Sequence, residues 1–298
     1  MSEPTRRRAA TEEKSGDRRD RTRPPAPEPL PHPVADNHCH LDIADAGEGD
    51  DWFATQDAIA AAVAVNVTRI VQIGCDLPGA RWAVRAAEEH AELVAGVALH
   101  PTEAPGLAAA GRLDEALAEI EALAASSDRV RVVGETGLDH FRTGEDGRAA
   151  QVESFRRHID LAKRLDKVLM IHDRDAHAEV LQVIDEEGAP DRWVMHCFSG
   201  DAAVARACLD RGAHLSFAGT VTFKNAEPLR GALRITPQDR ILVETDAPFL
   251  TPTPYRGRPN ASYLVPHTMR AMAEVRGDDL GALCVAVDTT TTAVFGEW

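Results

Sequence analysis

The feature that most constrains the fold is a series of eight short apolar segments that alternate with stretches of helical spacing. Many of these segments are apolar at every position, which is typical of strands buried on both faces of a parallel sheet. Between them, apolar residues recur at intervals of three and four, as in 113–123, 155–165 and 203–209. The predicted strands are 34–40, 67–73, 93–99, 130–135, 168–172, 193–196, 214–217 and 241–244. Eight strands alternating with helices predict an α/β fold, a closed TIM (β/α)8 barrel.

The chain length of 298 residues suits one such barrel, which needs about 250 residues. Residues 1–33 consist largely of Arg, Asp, Glu and Pro, with almost no apolar residues to bury. We therefore predict that they form a disordered N-terminal tail. From residue 34 the regular pattern continues to the end without a linker rich in Gly, Ser or Pro. Residues 34–298 are predicted to be a single domain.

Six candidate metal ligands stand at the carboxyl ends of five predicted strands. They are His38, His40, Glu135, His172, His196 and Asp246. Strand ends of a closed parallel barrel converge on one mouth, whereas an open doubly wound sheet would keep the first and last strands apart. A mixture of imidazole and carboxylate ligands admits Zn, Mn, Mg or Ni. The pattern therefore predicts a site for two divalent cations, and hence a metal-dependent hydrolase.

The spacing of these residues suggests individual roles. His38 and His40 are two residues apart on a strand, so they share one face and can bind the same cation. Glu135 has two carboxylate oxygens and can bridge cations about 3.5–4 Å apart. Asp246 can bind a metal and also accept a proton from the attacking water, so Glu135 and Asp246 are the predicted catalytic residues. Each residue alone could equally be a hydrogen-bonded core histidine or a capping acid.

Longer motifs at the same places resemble one known family. They are DNHCHLD, GETGLDHFR, FRRHIDLAKRLDKVLMIHDRDA, MHCFSG, TFKNAEPLR and VETDAPFLTPTPYRGRPN. Together they resemble the TatD-type metal-dependent deoxyribonucleases of the amidohydrolase superfamily, over about residues 34–296. The resemblance implies a TIM barrel in which one cation is held by His38, His40, Glu135 and Asp246, and the other by Glu135, His172 and His196. It also implies cleavage of DNA by a metal-activated water.

Further residues are candidates for substrate binding. Arg174, two residues beyond His172, is predicted to pair with a phosphate, and His100, at the end of the third strand, to hydrogen-bond a phosphate or the leaving oxygen. Three more positively charged side chains follow strands seven and eight, where barrels often bind phosphate. They are Lys224, Arg256 and Arg258. This last loop reads RGRPNAS where the family has RGKxNEP, a difference at the substrate rim and not among the predicted ligands.

The formal net charge of −15 argues against a protein that coats nucleic acid by bulk electrostatics. It does not exclude an anionic substrate, because bound cations and a few arginines can dominate the field at the mouth. The five cysteines form no CxxC pair and follow no secretory signal, so we expect no disulfide partner and a cytoplasmic location. No apolar segment reaches the roughly 20 residues that cross a bilayer.

These observations predict a metal-dependent hydrolase of ester bonds, a deoxyribonuclease that cleaves phosphodiester bonds with a water activated by two divalent cations. Three alternatives stay open. The barrel could act on a small amide, lactone or phosphoester, because barrels host many chemistries. It could be a non-catalytic metal-binding module, or an acidic scaffold whose basic tail binds a partner. The residues are compatible with a monomer and do not distinguish DNA from RNA, or exonuclease from endonuclease.

Overall fold

The computed structural model describes residues 4–7, 20–44 and 53–298. Eight parallel strands form one sheet in which each strand is hydrogen-bonded to the next one along the chain. We number them β1 Val34–Cys39, β2 Val67–Gly74, β3 Leu93–Val97, β4 Val130–Asp139, β5 Val168–Arg174, β6 Trp193–Met195, β7 His214–Phe217 and β8 Ile241–Val243. Each coincides with one of the eight predicted strands.

The barrel closes where β1 meets the segment that follows β8. Cys39 pairs with Ala247 in an isolated parallel bridge, and the His40 N–H donates to the Ala247 carbonyl oxygen at 2.8 Å. In the other direction, the Asp246 N–H donates to the His38 carbonyl oxygen at 3.0 Å. The first and last strands are thereby joined at their carboxyl ends. The predicted TIM barrel is confirmed.

Helices cover the outside of the sheet. They are α1 Thr55–Val63, α2 Leu77–Glu89, α3 Ala104–Ala109, α4 Leu113–Ala125, α5 Glu145–Arg164, α6 His177–Glu187, α7 Ala202–Leu209, α8 Glu227–Ile235, α9 Val265–Arg276 and α10 Leu280–Phe295. The three stretches of helical spacing predicted from sequence correspond to α4, the second half of α5, and α7. Within the described ranges, no helix combines the length and apolarity needed to traverse a bilayer.

The strands separate two apolar cores. On β5, Leu169 and Ile171 pack outward with the helices, whereas Val168 and Met170 belong to the core inside the barrel. This division follows from the period of two along a strand, which sends successive side chains to opposite faces. Phe295 of α10 joins the inner core at the amino ends of the strands. The inner core also contains Val71, Ile73, Cys75, Val94, Val132, Val194, Leu242 and Val294.

Residues 20–33 follow a defined path against the barrel, although we predicted disorder for the whole segment 1–33. Leu30 is buried, its N–H donates to the Val65 carbonyl oxygen at 3.1 Å, and the Asn66 side chain donates to the Leu30 carbonyl oxygen at 2.6 Å. The Tyr263 hydroxyl donates to the Pro24 carbonyl oxygen at 2.6 Å. The disorder prediction is wrong for residues 20–33, because distant side chains satisfy backbone groups that local composition cannot reveal.

The rest of that segment is described only in part. Residues 1–3 and 8–19 lie outside the described residues. Arg6–Arg7 pairs in parallel with Ile43–Ala44, just beyond β1. The division of the chain at residue 33 stays a prediction.

Candidate metal centre

Inside the barrel, the side chains change from apolar to polar along each strand. On β5, Val168 and Met170 lie in the inner core, and the next residue on that face is His172. On β6, the same alternation leads from Val194 to His196, one residue beyond the end of the strand. The polar residues therefore gather at the carboxyl end of the barrel, where TIM barrels carry their active sites.

A first group of candidate ligands surrounds one oxygen of Glu135. The Nε2 atoms of His38 and His40 lie 3.2 Å apart. His40 Nδ1 lies 2.9 Å from the Ile73 carbonyl oxygen, so the neutral ring has its proton on Nδ1 and a lone pair on Nε2. Asp246 Oδ1 lies 3.4 Å and Glu135 Oε1 3.5 Å from this Nε2. Acceptor atoms that face one another in a buried place suit a cation between them.

A second group surrounds the other oxygen of Glu135. Its Oε2 lies 2.7 Å from His196 Nε2 and 3.1 Å from His172 Nδ1. These two ring nitrogens are 3.4 Å apart. The two oxygens of one carboxylate thus face two different sets of ligands. All six predicted ligands lie in these two groups.

Two further carboxylates contact the ring nitrogens of His172 and His196 that are turned away from Glu135. Asp139 Oδ2 lies 3.3 Å from His172 Nε2. Glu244 is fully buried; its Oε1 accepts the Cys197 N–H at 2.8 Å and lies 3.3 Å from His196 Nδ1. Such partners fix the orientation of a ligating imidazole and the position of its proton. We did not predict Glu244, although it precedes Asp246 by two residues and so shares its face.

Cys75 is a second residue that the sequence analysis missed. Its Sγ donates to Glu135 Oε1 at 3.0 Å and lies 3.6 Å from His40 Nδ1. Burial and the charge of Glu135 raise the pKa of this thiol well above its ordinary value, so it is a neutral donor. Cys75 continues the inward face of β2 beyond Ile73. This alternation along β2 was the sequence signal that could have identified Cys75 as a residue of the centre.

The charges of the centre depend on one another. Burial would lower the pKa of His196, but the carboxylates of Glu135 and Glu244 raise it well above the ordinary value. Conversely, burial would raise the pKa of Glu135, but the charge of His196 and hydrogen bonds from His172 and His196 hold it well below the usual range. For His38, burial and then His196 lower the pKa far below the ordinary value, so this ring is neutral. Metal binding requires neutral imidazoles, so a cation that binds here must displace the proton that Glu135 and Glu244 stabilise on His196.

The two residues predicted to bind substrate lie beside the centre. The ring of His100 is 4.5 Å from that of His172, measured between centroids. Burial lowers the pKa of His100 to about 3, and its Nδ1 accepts the Thr102 N–H at 3.1 Å. His100 is therefore neutral with its proton on Nε2. Arg174 ends β5, and its guanidinium carbon lies 4.0 Å from the centroid of the Phe141 ring.

The three other positively charged side chains predicted to bind phosphate have different surroundings. Arg258 donates from Nε to the Thr22 carbonyl oxygen at 2.7 Å and lies 3.2 Å from Asp20 Oδ2, so it holds the segment before β1. The guanidinium carbon of Arg256 lies 4.3 Å from the centroid of the Phe223 ring. Lys224 is exposed. Of the three, Arg258 thus has a structural role.

Comparisons with known proteins identify the family of this chain. The chain matches the family described as TatD related DNase over residues 35–296. An uncharacterized metal-dependent hydrolase TatD from Mycobacterium tuberculosis is 48% identical over 246 residues, which cover 81% of this chain and 90% of that protein. The uncharacterized metal-dependent hydrolase YabD from Bacillus subtilis is 38% identical over 242 residues, again 81% of this chain and 90% of that protein.

Solved structures have the same fold. The crystal structure of YJJV, a TatD homolog from Escherichia coli K12, superposes with a TM-score of 0.78 at 23% identity, covering 89% of this chain and 98% of that chain. The family suggested by the sequence motifs is confirmed by the match over most of the chain and by relatives well above 30% identity. The chain belongs to the TatD-related DNase family of metal-dependent hydrolases.

Proposed function

We propose that this chain hydrolyses phosphodiester bonds of DNA at a centre that holds two divalent cations. The observation that carries the proposal is the position of Glu135, whose Oε1 lies 3.5 Å from His40 Nε2 and whose Oε2 lies 2.7 Å from His196 Nε2. A carboxylate with a ligand set on each side suits a pair of cations about 3.5–4 Å apart, the spacing used in phosphodiester hydrolysis. The description of the family as TatD-related DNases supports DNA as the substrate.

The donor set fits such cations. One would be held by His38, His40, Glu135 and Asp246, and the other by Glu135, His172 and His196. The ring nitrogens of His40, His172 and His196 that face away from the centre each lie near an acceptor oxygen, that of Ile73, Asp139 and Glu244 respectively. This arrangement presents the opposite nitrogen as a ligand. Mixed imidazole and carboxylate donors accept Zn, Mn, Mg or Ni.

Bound divalent cations would lower the pKa of a water molecule and offset charge on the phosphate. The residues of the chain supply the proton transfers and hold the substrate. Asp246 accepts the proton of the attacking water through its carboxylate. Arg174 pairs with a non-bridging phosphate oxygen. His100, with its proton on Nε2, donates to the phosphate or to the oxygen that leaves.

The proposal is tested by measuring metal content and hydrolysis together. Metal-free protein is reloaded with Mg²⁺, Mn²⁺, Zn²⁺ or Ni²⁺ and assayed on single-stranded DNA, duplex DNA, RNA, and small amides, lactones and phosphoesters. We expect two cations per chain by mass spectrometry and cleavage of DNA. Hydrolysis of the small substrates alone, or activity with a single bound cation, would contradict the proposal.

A pair of matched histidine variants shows whether the cations bind where we propose. His196→Asn removes a ligand of the second group and should leave about one cation per chain. His267→Asn removes a histidine of α9, outside both groups, and should leave two. Equal metal content in the two variants would exclude His196 as a ligand.

A further inference from the structure

An aromatic side chain is exposed beside the candidate centre. Phe141 is 64% exposed, whereas the other exposed large apolar side chains among the described residues, Val63 and Val285, are aliphatic. Phe141 lies two residues beyond Asp139, whose carboxylate faces His172 at 3.3 Å. Single exposed apolar residues are common on protein surfaces. Exposure alone therefore does not indicate a binding role for Phe141, but its fixed loop and its contact with Arg174 do.

The loop that carries Phe141 is anchored by buried groups. The side chain of Gln151, fully buried in α5, accepts the Asp139 N–H at 3.1 Å and donates to Thr143 Oγ1 at 2.7 Å. The Arg142 N–H donates to Asp139 Oδ1 at 2.7 Å. Residues on both sides of Phe141 are thus fixed. The ring is held at the surface by a well-defined loop.

One face of the Phe141 ring is covered by Arg174. The guanidinium carbon lies 4.0 Å from the ring centroid, a cation–π contact. Arg174 follows His172 by two residues on β5, so the two side chains leave the same face of the strand. The sheet register places Arg174 opposite Asp139. A charged group suited to phosphate and an exposed ring therefore stand together, next to the second group of ligands.

We propose that Phe141 and Arg174 bind one unpaired nucleotide next to the phosphate that is cut. The base stacks on the open face of the Phe141 ring while Arg174 pairs with the phosphate. Bases within a duplex are stacked on their neighbours, so this element selects single-stranded or frayed DNA. Every base has an aromatic face, so it gives little preference for sequence. This inference rests on the proposed nuclease function and specifies which form of DNA the site binds.

The test compares binding of two labelled single strands of equal length, one normal and one whose sugars carry no bases. Fluorescence anisotropy with the full chain in EDTA measures affinity without cleavage. We expect the wild type to bind the normal strand about tenfold more tightly, in the range found for aromatic–base stacking. Phe141→Ala and Phe141→Leu should bind both strands equally, whereas Phe141→Tyr should keep the preference. A tenfold preference in the Ala and Leu variants would overturn the inference.

Two further measurements separate this inference from the proposed function. Val285→Ala removes an exposed apolar side chain from α10 and should leave the tenfold ratio unchanged. With added Mg²⁺ or Mn²⁺, Phe141→Ala should raise KM for the normal strand about tenfold and leave kcat unchanged. Cleavage of both strands with equal KM would overturn the stacking role alone. A tenfold binding preference in a wild type that cuts no DNA would overturn the nuclease function and retain the nucleotide-binding element.

Discussion

The two ends of the barrel are built from the same strands but are filled by different chemistry. At the amino ends, Val168, Val194 and Leu242 form an apolar core that Phe295 of α10 joins. A few residues further along the same faces, imidazoles and carboxylates surround Glu135. The difference shows that a strand of seven residues can contribute to stability at one end and to chemistry at the other. The period of two fixes both contributions.

This contrast predicts two classes of variant. A substitution at the carboxyl end should lower activity and leave the unfolding free energy nearly unchanged, whereas one at the amino end should do the reverse.

Removal of the cations should have the largest effect, because the proposed activation of water depends on them. We expect dialysis against a chelator to reduce hydrolysis to background, and a divalent cation to restore it. Far-UV circular dichroism should be unchanged, because the apolar core at the amino ends does not depend on the metals. Unfolding on chelation would show that the two ends are not independent.

Asp246→Asn should lower turnover about 10³-fold, the middle of the range for loss of a general base. The amide has nearly the same size and should leave the fold intact. Asp185→Asn is the matched control, because Asp185 is paired with Arg211 on the outer surface. Steady-state kinetics measure both. Turnover of Asp246→Asn within a few-fold of the wild type would remove Asp246 as the base.

Phe295→Ala should destabilise the fold by about 3 kcal/mol, the lower end of the range for a buried phenylalanine. Chemical denaturation measures this loss. Turnover per folded molecule should be unchanged, because Phe295 lies at the end of the barrel opposite the candidate centre. Val285→Ala, on the exposed side of the same helix, should change stability by less than about 0.5 kcal/mol. A large fall in turnover for Phe295→Ala would contradict the contrast between the two ends.

Glu244→Gln should weaken metal binding about 10- to 100-fold, as loss of a residue that orients a ligand does. The amide can still offer an oxygen at the position of Oε1, which faces both the Cys197 N–H and His196 Nδ1, but it lacks the negative charge that stabilises a proton on His196. Titration with the metal followed by mass spectrometry or calorimetry gives the affinity. Glu186→Gln, on the exposed part of α6, is the control. Equal affinities in the two variants would show that Glu244 does not act on the centre.

Much of this architecture could be read from the chain because apolar runs and the period of two are local properties. They gave the eight strands, and the six polar residues at strand ends indicated the two groups around Glu135. Glu244 and Cys75 were missed because a buried acid or thiol at a strand end has many ordinary explanations. Only the contacts of Glu244 with His196 and of Cys75 with Glu135 in the folded chain show that these two residues belong to the centre.

Glu135 itself shows where the period of two fails. With Val132 in the inner core, strict alternation would turn Gly134 inward and Glu135 outward. Instead, Gly134 and Glu135 on β4 together oppose the single residue Met170 on β5, and this bulge turns the carboxylate into the mouth. A Cβ on Gly134 would lie 2.5 Å from the Cβ of Met170, so only glycine fits there. Neither the bulge nor this close approach can be read from local spacing.

The closure between β1 and β8 has a consequence for biosynthesis. His38 and His40 leave the ribosome early, whereas Asp246 and the bridge from Cys39 to Ala247 follow only when most of the chain has been translated. We expect a truncated or nascent chain that stops before Asp246 to retain divalent ions weakly, which equilibrium dialysis of such a fragment can establish. The candidate metal centre would then be complete only after nearly the whole chain has been translated.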